Sequence, residues 1–242
     1  MKTEILFGIH PVLEAIRAGR RNFYECYISD DKLSGRLKSV VALAESYNIP
    51  VKRNKVSQLR SITATDYHQG IGAKVSEYPL ADLSDIIDKT AEYFLLLLDN
   101  VADPRNLGAL IRTGLCAGVN GVIIPKDRSA PPTPAVSKAS AGAMEHILLA
   151  RVTNLVSIIK ELKKKGVWIA GMDSTANQSV FNADLTCSLA IVIGGEEKGI
   201  RPLVRKHCDF LISVPQEGPV SSLNASVAGA VAMYEAYRQK RL

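Results

Sequence analysis

Three segments of the 242-residue chain gather residue types that could do chemistry. The first runs Asp99-Asn100-Val101-Ala102-Asp103-Pro104-Arg105-Asn106-Leu107-Gly108 and on to Arg112. Asp103 suits a helix N-cap and Pro104 the first helical position. Leu107, Leu110 and Ile111 then form the buried stripe, while Arg105, Gly108 and Arg112 share another face. Gly108 leaves open space one turn below Arg112, so a flat guanidinium could meet a phosphate or a hydroxyl near the helix start. Taken alone, the same residues also read as Asn106 capping the helix and Arg112 as a surface charge.

The second segment is Ile193-Gly194-Gly195-Glu196-Glu197-Lys198-Gly199. A glycine pair directly after an apolar run permits close backbone approach by a ligand. The spacing fits neither a dinucleotide fingerprint nor a P-loop. A Gly-rich turn with solvated charges is the competing account. The third segment, Val214 to Asn224, is stiffened by Pro215 and Pro219, and Ser221 or Ser222 could cap the helix that follows. That helix carries Leu223, Val227, Val231 and Tyr234 on one stripe. Ala225, Gly229, Ala232 and Ala236 add small residues that suit close packing, within one chain or between subunits.

These loops need a scaffold. Phe94–Leu98 is a continuous apolar run, as expected of a strand covered on both faces. Val122–Ile124, Val167–Ala170, Leu189–Ile193 and Phe210–Val214 are further buried-strand candidates, with helices from Pro104, over Leu155–Lys165 and over Ser222–Arg238. Strands alternating with helices predict an α/β fold with a mostly parallel sheet, and ligands in such sheets bind on the loops after the strands. Ala130–Pro134 reads as a surface loop.

The first third alternates separately. His10-Pro11 opens a helix that stops near Gly19, Phe23–Ser29 reads as a strand, and Leu37, Val40, Val41 and Ala44 recur at helical spacing. Val51 and Ile71–Val75 complete a small α/β sandwich. The expected organisation is a domain over 1–76, a linker over 77–90 that opens with the polar stretch Glu77–Asp85, and a second domain over 91–242.

Composition narrows the options. Hydrophobic residues make up 47% and charged residues 22%, which excludes intrinsic disorder. The net charge is +6, and residues 1–75 hold 12 Lys and Arg against 7 Asp and Glu, so the excess sits where a surface would meet phosphates. A solvated basic face with no partner would look the same. No apolar run approaches the ~20 residues of a membrane span. No signal-peptide pattern opens the chain, which makes the cytoplasm the expected location. Cys26, Cys116, Cys187 and Cys208 form no CxxC pair, and His10, His68, His146 and His207 lack ligand spacing, so no metal is expected.

Together, "DNVADPRNLGALIRT", "IVIGGEEKGIRPL" and "ISVPQEGPVSSLNASVA" resemble, in order and spacing, the three motifs of the SpoU/TrmH-type RNA 2′-O-methyltransferases of the SPOUT superfamily. The likeness covers roughly 91–242. "GIHPVLEAI" and "HQGIGAKV" resemble the amino-terminal RNA-binding module, similar to ribosomal protein L30e, of the branch that methylates a guanosine of large-subunit ribosomal RNA. The resemblance implies a sheet whose carboxyl end is tied in a deep trefoil knot, a homodimer, and S-adenosylmethionine as cofactor. By motif match, cofactor contacts fall at Gly194, Val214 and Leu223, with the loop near Gly171 close by. The functional side chains fall at Asn106, Arg112, Glu196, Ser222 and Asn224. The family usually has glycine where this chain has Glu197.

Methyl transfer to a ribose 2′-hydroxyl needs alignment of oxygen, carbon and sulfur, and loss of the hydroxyl proton. The family view makes Arg112 the activator. It would act either as a transiently neutral base or as a charged group that holds a phosphate and stabilises the alkoxide; a guanidinium pKa above ~12 favours the second. Arg17, Arg20, Arg21, Lys52 and Arg53, with Arg105, are the expected RNA-backbone contacts. RNA is the expected partner, DNA and membranes are not. A fragment of residues 76–242 is expected still to bind cofactor. Three alternatives stand beside this reading: a transfer-RNA ribose methyltransferase, a non-catalytic RNA-binding ribosome-assembly factor, and an oxidoreductase on a Rossmann sheet. The missing GxGxxG argues against the last.

Overall fold

The structure, a computed structural model, describes residues 2–31, 34–88, 92–217, 219 and 222–241. The chain divides into two units, Met1–Pro79 with Pro132–His146, and Leu80–Pro131 with Ile147–Leu242.

In the first unit β1 (Thr3–Phe7), α1 (Ile9–Ala18), β2 (Phe23–Ser29), α2 (Gly35–Ser46), β3 (Val51–Asn54), α3 (Val56–Thr63) and β4 (Ile71–Ser76) follow one another. The sheet order is β1-β4-β2-β3, and only β2 and β3 run parallel. Leu6, Val12, Ile16, Ile28, Val40 and Ile71 fill its core. α1 ends on Gly19 at φ 63°, a left-handed cap that glycine adopts without a β-carbon clash. Sequence patterning missed α3, whose eight residues hold only Val56, Leu59 and Ile62 as apolar side chains, too short a run to establish a helical period.

The second unit holds α4 (Leu83–Ile87), β5 (Phe94–Asp99), α5 (Pro104–Ala117) and β6 (Gly121–Pro125). The chain then contributes α6 (Pro134–Ala139) to the first unit. It returns with β7 (Leu148–Val152), α7 (Leu155–Lys164), β8 (Trp168–Met172), β9 (Leu189–Gly194), α8 (Pro202–His207), β10 (Phe210–Ile212) and α9 (Ala225–Arg241). All six strands are parallel, in the order β10-β8-β9-β5-β6-β7. Every residue of β5 and β9 is buried, which is why the two centre strands read as unbroken apolar runs. β7 is an edge strand that sequence patterning does not show, because Val152 is its one β-branched residue and Leu148, Leu149, Ala150 and Arg151 have no strand preference.

Ala130–Pro134 is not the simple surface loop expected. Ala130 and Pro132 are buried, Pro134 starts α6, and the chain passes here from one unit into the other. The passage matters because residues 132–146 carry a buried charge. Glu145, 1% exposed, receives Arg21 Nε at 2.7 Å, Arg21 Nη2 at 3.1 Å and the Ser137 hydroxyl at 2.7 Å. Arg21 Nη1 also reaches Glu4 at 2.6 Å and the Ser76 carbonyl at 3.0 Å. Burial opposes the Arg21 charge, but the two carboxylates more than offset it and hold its pKa above the ordinary value. A fragment starting at residue 76 would therefore leave Glu145 without its cation and Met144, fully buried here, without its cover. Arg21→Ala strands a buried carboxylate and should cost about 3–5 kcal/mol in urea unfolding; a loss below about 1 kcal/mol would show the pair to be unimportant.

Candidate active site

All six strands end on one edge of the second unit's sheet, and the loops after β5, β6, β8, β9 and β10 build the site. Asp103 caps α5, its carboxylate accepting from the Arg105 amide at 2.8 Å, with Pro104 next in the chain. β5 ends at Asp99, fully buried, which accepts from the Arg201 amide and from Arg201 Nε, both at 2.8 Å. This clamp draws the chain after β9 back over the strand ends. Gly195 N donates to the Asp99 carbonyl, and Gly199 N to the Gly195 carbonyl, both at 2.9 Å. A β-carbon on Gly194 would lie 2.0 Å from the Gly199 carbonyl carbon and 2.2 Å from Ile200 N; one on Gly195 would lie 2.3 Å from the Asn100 carbonyl oxygen. The glycine pair is thus required by the chain's approach to itself, whether or not a ligand comes near.

The folded-back segment 195–199 separates two clefts. The first, about 710 Å³, lies against Asn100–Asp103, Asn106 and Arg128. The second, about 700 Å³, opens at the ends of β8, β9 and β10, against Met172, Gly194, Ile212, Val214 and Leu223. Segment 195–199 and Ala225 line both. On this ridge stands a triangle of side chains. Asn106 Nδ2 donates to Glu196 Oε1, and Asn224 Nδ2 donates to Glu196 Oε1 at 3.0 Å and to Asn106 Oδ1 at 3.2 Å. Asn224 Oδ1 accepts from Ser226 N at 2.9 Å, so the same residue caps α9.

Three of the five expected catalytic residues, Asn106, Glu196 and Asn224, are therefore in mutual contact. Asn106 is not the helix cap, since Asp103 does that work. Asn224 and not Ser222 caps α9: Ser222 lies exposed against the second cleft, and Ser221 lies outside the described residues. Arg112 lines neither cleft; it is exposed, and its side chain has no partner among the described residues. Gly194, Val214 and Leu223 line the second cleft, and Gly171 does not. A β-carbon on Gly171 would meet Leu211 Cδ2 at 2.7 Å and Cys208 Sγ at 2.9 Å, so this glycine serves packing, and the next residue, Met172, reaches the cleft. Burial pushes the Cys208 thiol up to about 12, which leaves no thiolate there.

Sequence reading passed over Asp173. It lines the second cleft and accepts from Thr175 Oγ1 at 2.6 Å, Thr175 N at 2.8 Å and Arg205 Nε at 2.6 Å. These bonds, led by the Thr175 hydroxyl, hold its pKa below the usual carboxylate value. The Asp-Ser-Thr sequence straight after a buried strand was the available signal.

The expected RNA contacts divide. Arg21 is buried in its ion pair, so it offers no cation to a polyanion. Arg20 is also engaged inside the first unit, donating to the Pro79 carbonyl at 3.0 Å and lying 5.4 Å over the Tyr78 ring. Arg17 pairs with Glu14 at 2.8 Å, Lys52 with Glu25, and Arg105 with Asp103 at 2.9 Å, all on the surface where such pairs yield readily to another anion. Arg53 is exposed.

Comparison with known proteins turns this geometry into an identity. Residues 93–234 match the SpoU rRNA methylase family, and residues 5–81 match the module described as RNA 2′-O ribose methyltransferase substrate binding. The chain belongs to the SpoU rRNA methylase family. Curated relatives of this SpoU chain include the 23S rRNA (guanosine-2′-O-)-methyltransferases RlmB of Escherichia coli K12, 39% identical over 98% of this chain and 99% of the relative, and of Vibrio vulnificus, 40% identical over 99% and 98%. Among solved structures, the SpoU methyltransferase AviRb of Streptomyces viridochromogenes, in complex with AdoMet, superposes with TM-score 0.83 at 23% identity, over 99% of this chain and 91% of that one. An RNA 2′-O ribose methyltransferase superposes with TM-score 0.85 at 21% identity, over 99% and 90%. Both share the fold.

In this SpoU chain Gly194→Ala forces a backbone-to-backbone clash and should destabilise by about 3 kcal/mol or more, whereas Gly171→Ala meets movable side chains and should cost about 1 kcal/mol. Urea unfolding of both variants checks the ranking, and equal losses would contradict the fold-back at Gly194.

Proposed function

We propose that this protein transfers a methyl group from S-adenosylmethionine to a ribose 2′-hydroxyl in RNA, and that the ribose belongs to a guanosine of 23S ribosomal RNA. The observation that carries the reaction is the Asn106–Glu196–Asn224 triangle on a ridge between two clefts. The choice of RNA is supported by the names of full-length relatives. Cytoplasmic location follows from that substrate.

The second cleft suits the cofactor. Ile193, Ile200, Ile212 and Leu223 offer apolar walls for a flat base, and Asp173 and Glu196 offer carboxylates for positive charge. When bound, the cofactor supplies a methyl carbon on a positively charged sulfur. Glu196 is held by two amides, so its charge is aimed before any ligand arrives. The first cleft, across segment 195–199, takes the acceptor nucleotide. Placing donor and acceptor on two sides of one rigid segment is how the chain supplies orientation, worth on the order of 7–11 kcal/mol when complete.

Arg112 joins through a second copy. Leu223, Val227 and Tyr234 are large apolar side chains left 39–48% exposed, and the latter two lie two turns apart on α9. The small residues of α9 point the other way: a β-carbon on Gly229 would lie 2.5 Å from Ile193 Cδ1 and from Leu110 Cδ2. The packing face is therefore intramolecular, and the large-residue stripe is the one a partner would cover. An isologous pair through this face lets Arg112 of each copy serve the other's clefts. Its guanidinium stays charged and stabilises the developing alkoxide.

Labelled-methyl transfer onto RNA from cells lacking the protein, followed by mapping, should give a single 2′-O-methylguanosine in 23S RNA, and a DNA version of the target should take up no label. Label on that DNA would refute the acceptor atom. Arg112→Ala and Glu196→Ala should each lower kcat by about 10²–10³. Mixing the two inactive variants should restore about a quarter of wild-type sites if Arg112 acts across a twofold interface; no recovery would place Arg112 in its own subunit's site or outside the reaction.

A further inference from the structure

One cation of the first cleft has no assigned work. Arg128 lies in the loop after β6, on the strand-end edge of the sheet, and lines the first cleft. Its backbone is left-handed at φ 57°, a conformation that disfavours any residue with a β-carbon and clusters at functional sites. Asn100, across the same cleft, is left-handed too, at φ 63°. The two loops are tied together: Ala130 N donates to the Val101 carbonyl at 2.9 Å, with Ala130 and Val101 both buried. Beside this tie, Asn100 Oδ1 and Ser129 Oγ are buried without hydrogen-bond partners among the described residues. Arg128 itself is exposed, with no side-chain partner among the described residues. A strained, anchored loop that presents an unpaired guanidinium to a cleft has no packing explanation.

The other charges around the cleft give the guanidinium a direction. Asp103 is neutralised by Arg105 at 2.9 Å. Glu196 and Glu197 stand on segment 195–199, with Lys198 between the two clefts. A nucleotide in the first cleft has its uncharged ribose free to face the carboxylate side and its phosphate driven from it. Arg128 enters from the β6 loop, a different segment of the chain from the one that carries those carboxylates.

We propose that Arg128 binds the RNA phosphate beside the acceptor ribose and so holds the acceptor nucleotide in the first cleft. This rests on the reading of the first cleft as the acceptor site. A guanidinium suits the task because its planar fork grips two phosphate oxygens at once, which a lysine ammonium does not.

The test uses the full-length protein, a fragment of 23S RNA that wild type methylates, and the variants Arg128→Gln and Arg128→Lys. For Arg128→Gln the KM for RNA should rise about tenfold, with kcat and the calorimetric affinity for S-adenosylmethionine within about twofold of wild type. The slope of log affinity for RNA against log salt should flatten by about 0.7, one single-strand phosphate contact. Arg128→Lys should keep that slope while KM rises about threefold, because the charge stays and the fork is lost. The melting temperature should be unchanged in both, since the side chain is exposed and has no polar partner among the described residues. If wild type methylates RNA and Arg128→Gln leaves KM and salt slope unaltered, the assignment of Arg128 is overturned and the reading of the site stands. If wild type transfers no methyl to any RNA, the reading of the site falls and takes this assignment with it.

Discussion

At the end of β9 the chain turns back so closely that hydrogen is the largest substituent Gly194 can carry beside Gly199 and Ile200. The buried Asp99 carboxylate holds that turn by accepting from both the backbone and the guanidinium of Arg201. A buried carboxylate without such bonds would be expensive, so the clamp is self-enforcing: once β5 is in the sheet, Arg201 must come to it. Because segment 195–199 is folded back, it becomes a wall with two sides. The two clefts, the triangle on the ridge and the reach of Glu196 to both all depend on this turn.

The triangle shows how one amide serves structure and site together. Asn224 caps α9 with its oxygen and bonds Glu196 and Asn106 with its nitrogen. The cap fixes the asparagine's rotamer, and the rotamer fixes the carboxylate. α9 is in turn seated by Gly229, which admits Leu110 of α5 and Ile193 of β9. The helix that carries the cap is therefore registered against the helix that carries Asn106.

The first unit makes a related point about chain order. Its sheet is built from residues before Pro79, yet its buried arginine finds its main partner in Glu145, contributed by a segment that returns after β6. Proximity in sequence placed Arg20 and Arg21 among surface cations. Burial removed Arg21, because a guanidinium with two carboxylates and a carbonyl in reach is more stable paired inside than solvated beside unpaired acids, while half-buried Arg20 is engaged by the Pro79 carbonyl and the Tyr78 ring.

The sequence by itself determined the α/β class, the centre strands, the cap at Asp103 and the three loops that converge, since apolar runs, turn residues and motif spacing are local properties. Asn106, Glu196 and Asn224 were singled out by the resemblance to the SpoU/TrmH motifs, and the structure brings the three into contact. The sequence did not reveal α3, which is too short to establish a period, or β7, whose Leu-Leu-Ala-Arg run lacks strand propensity. Tertiary structure alone decided that Gly194 and Gly195 are demanded by the chain's own backbone, that Gly171 packs rather than lines, and that Asn224 and not Ser222 is the cap. It alone decided which face of α9 stays open and that Arg112 stands away from the clefts of its own chain. Each of these depends on which atoms lie opposite across space, and that information resides in no window of the sequence.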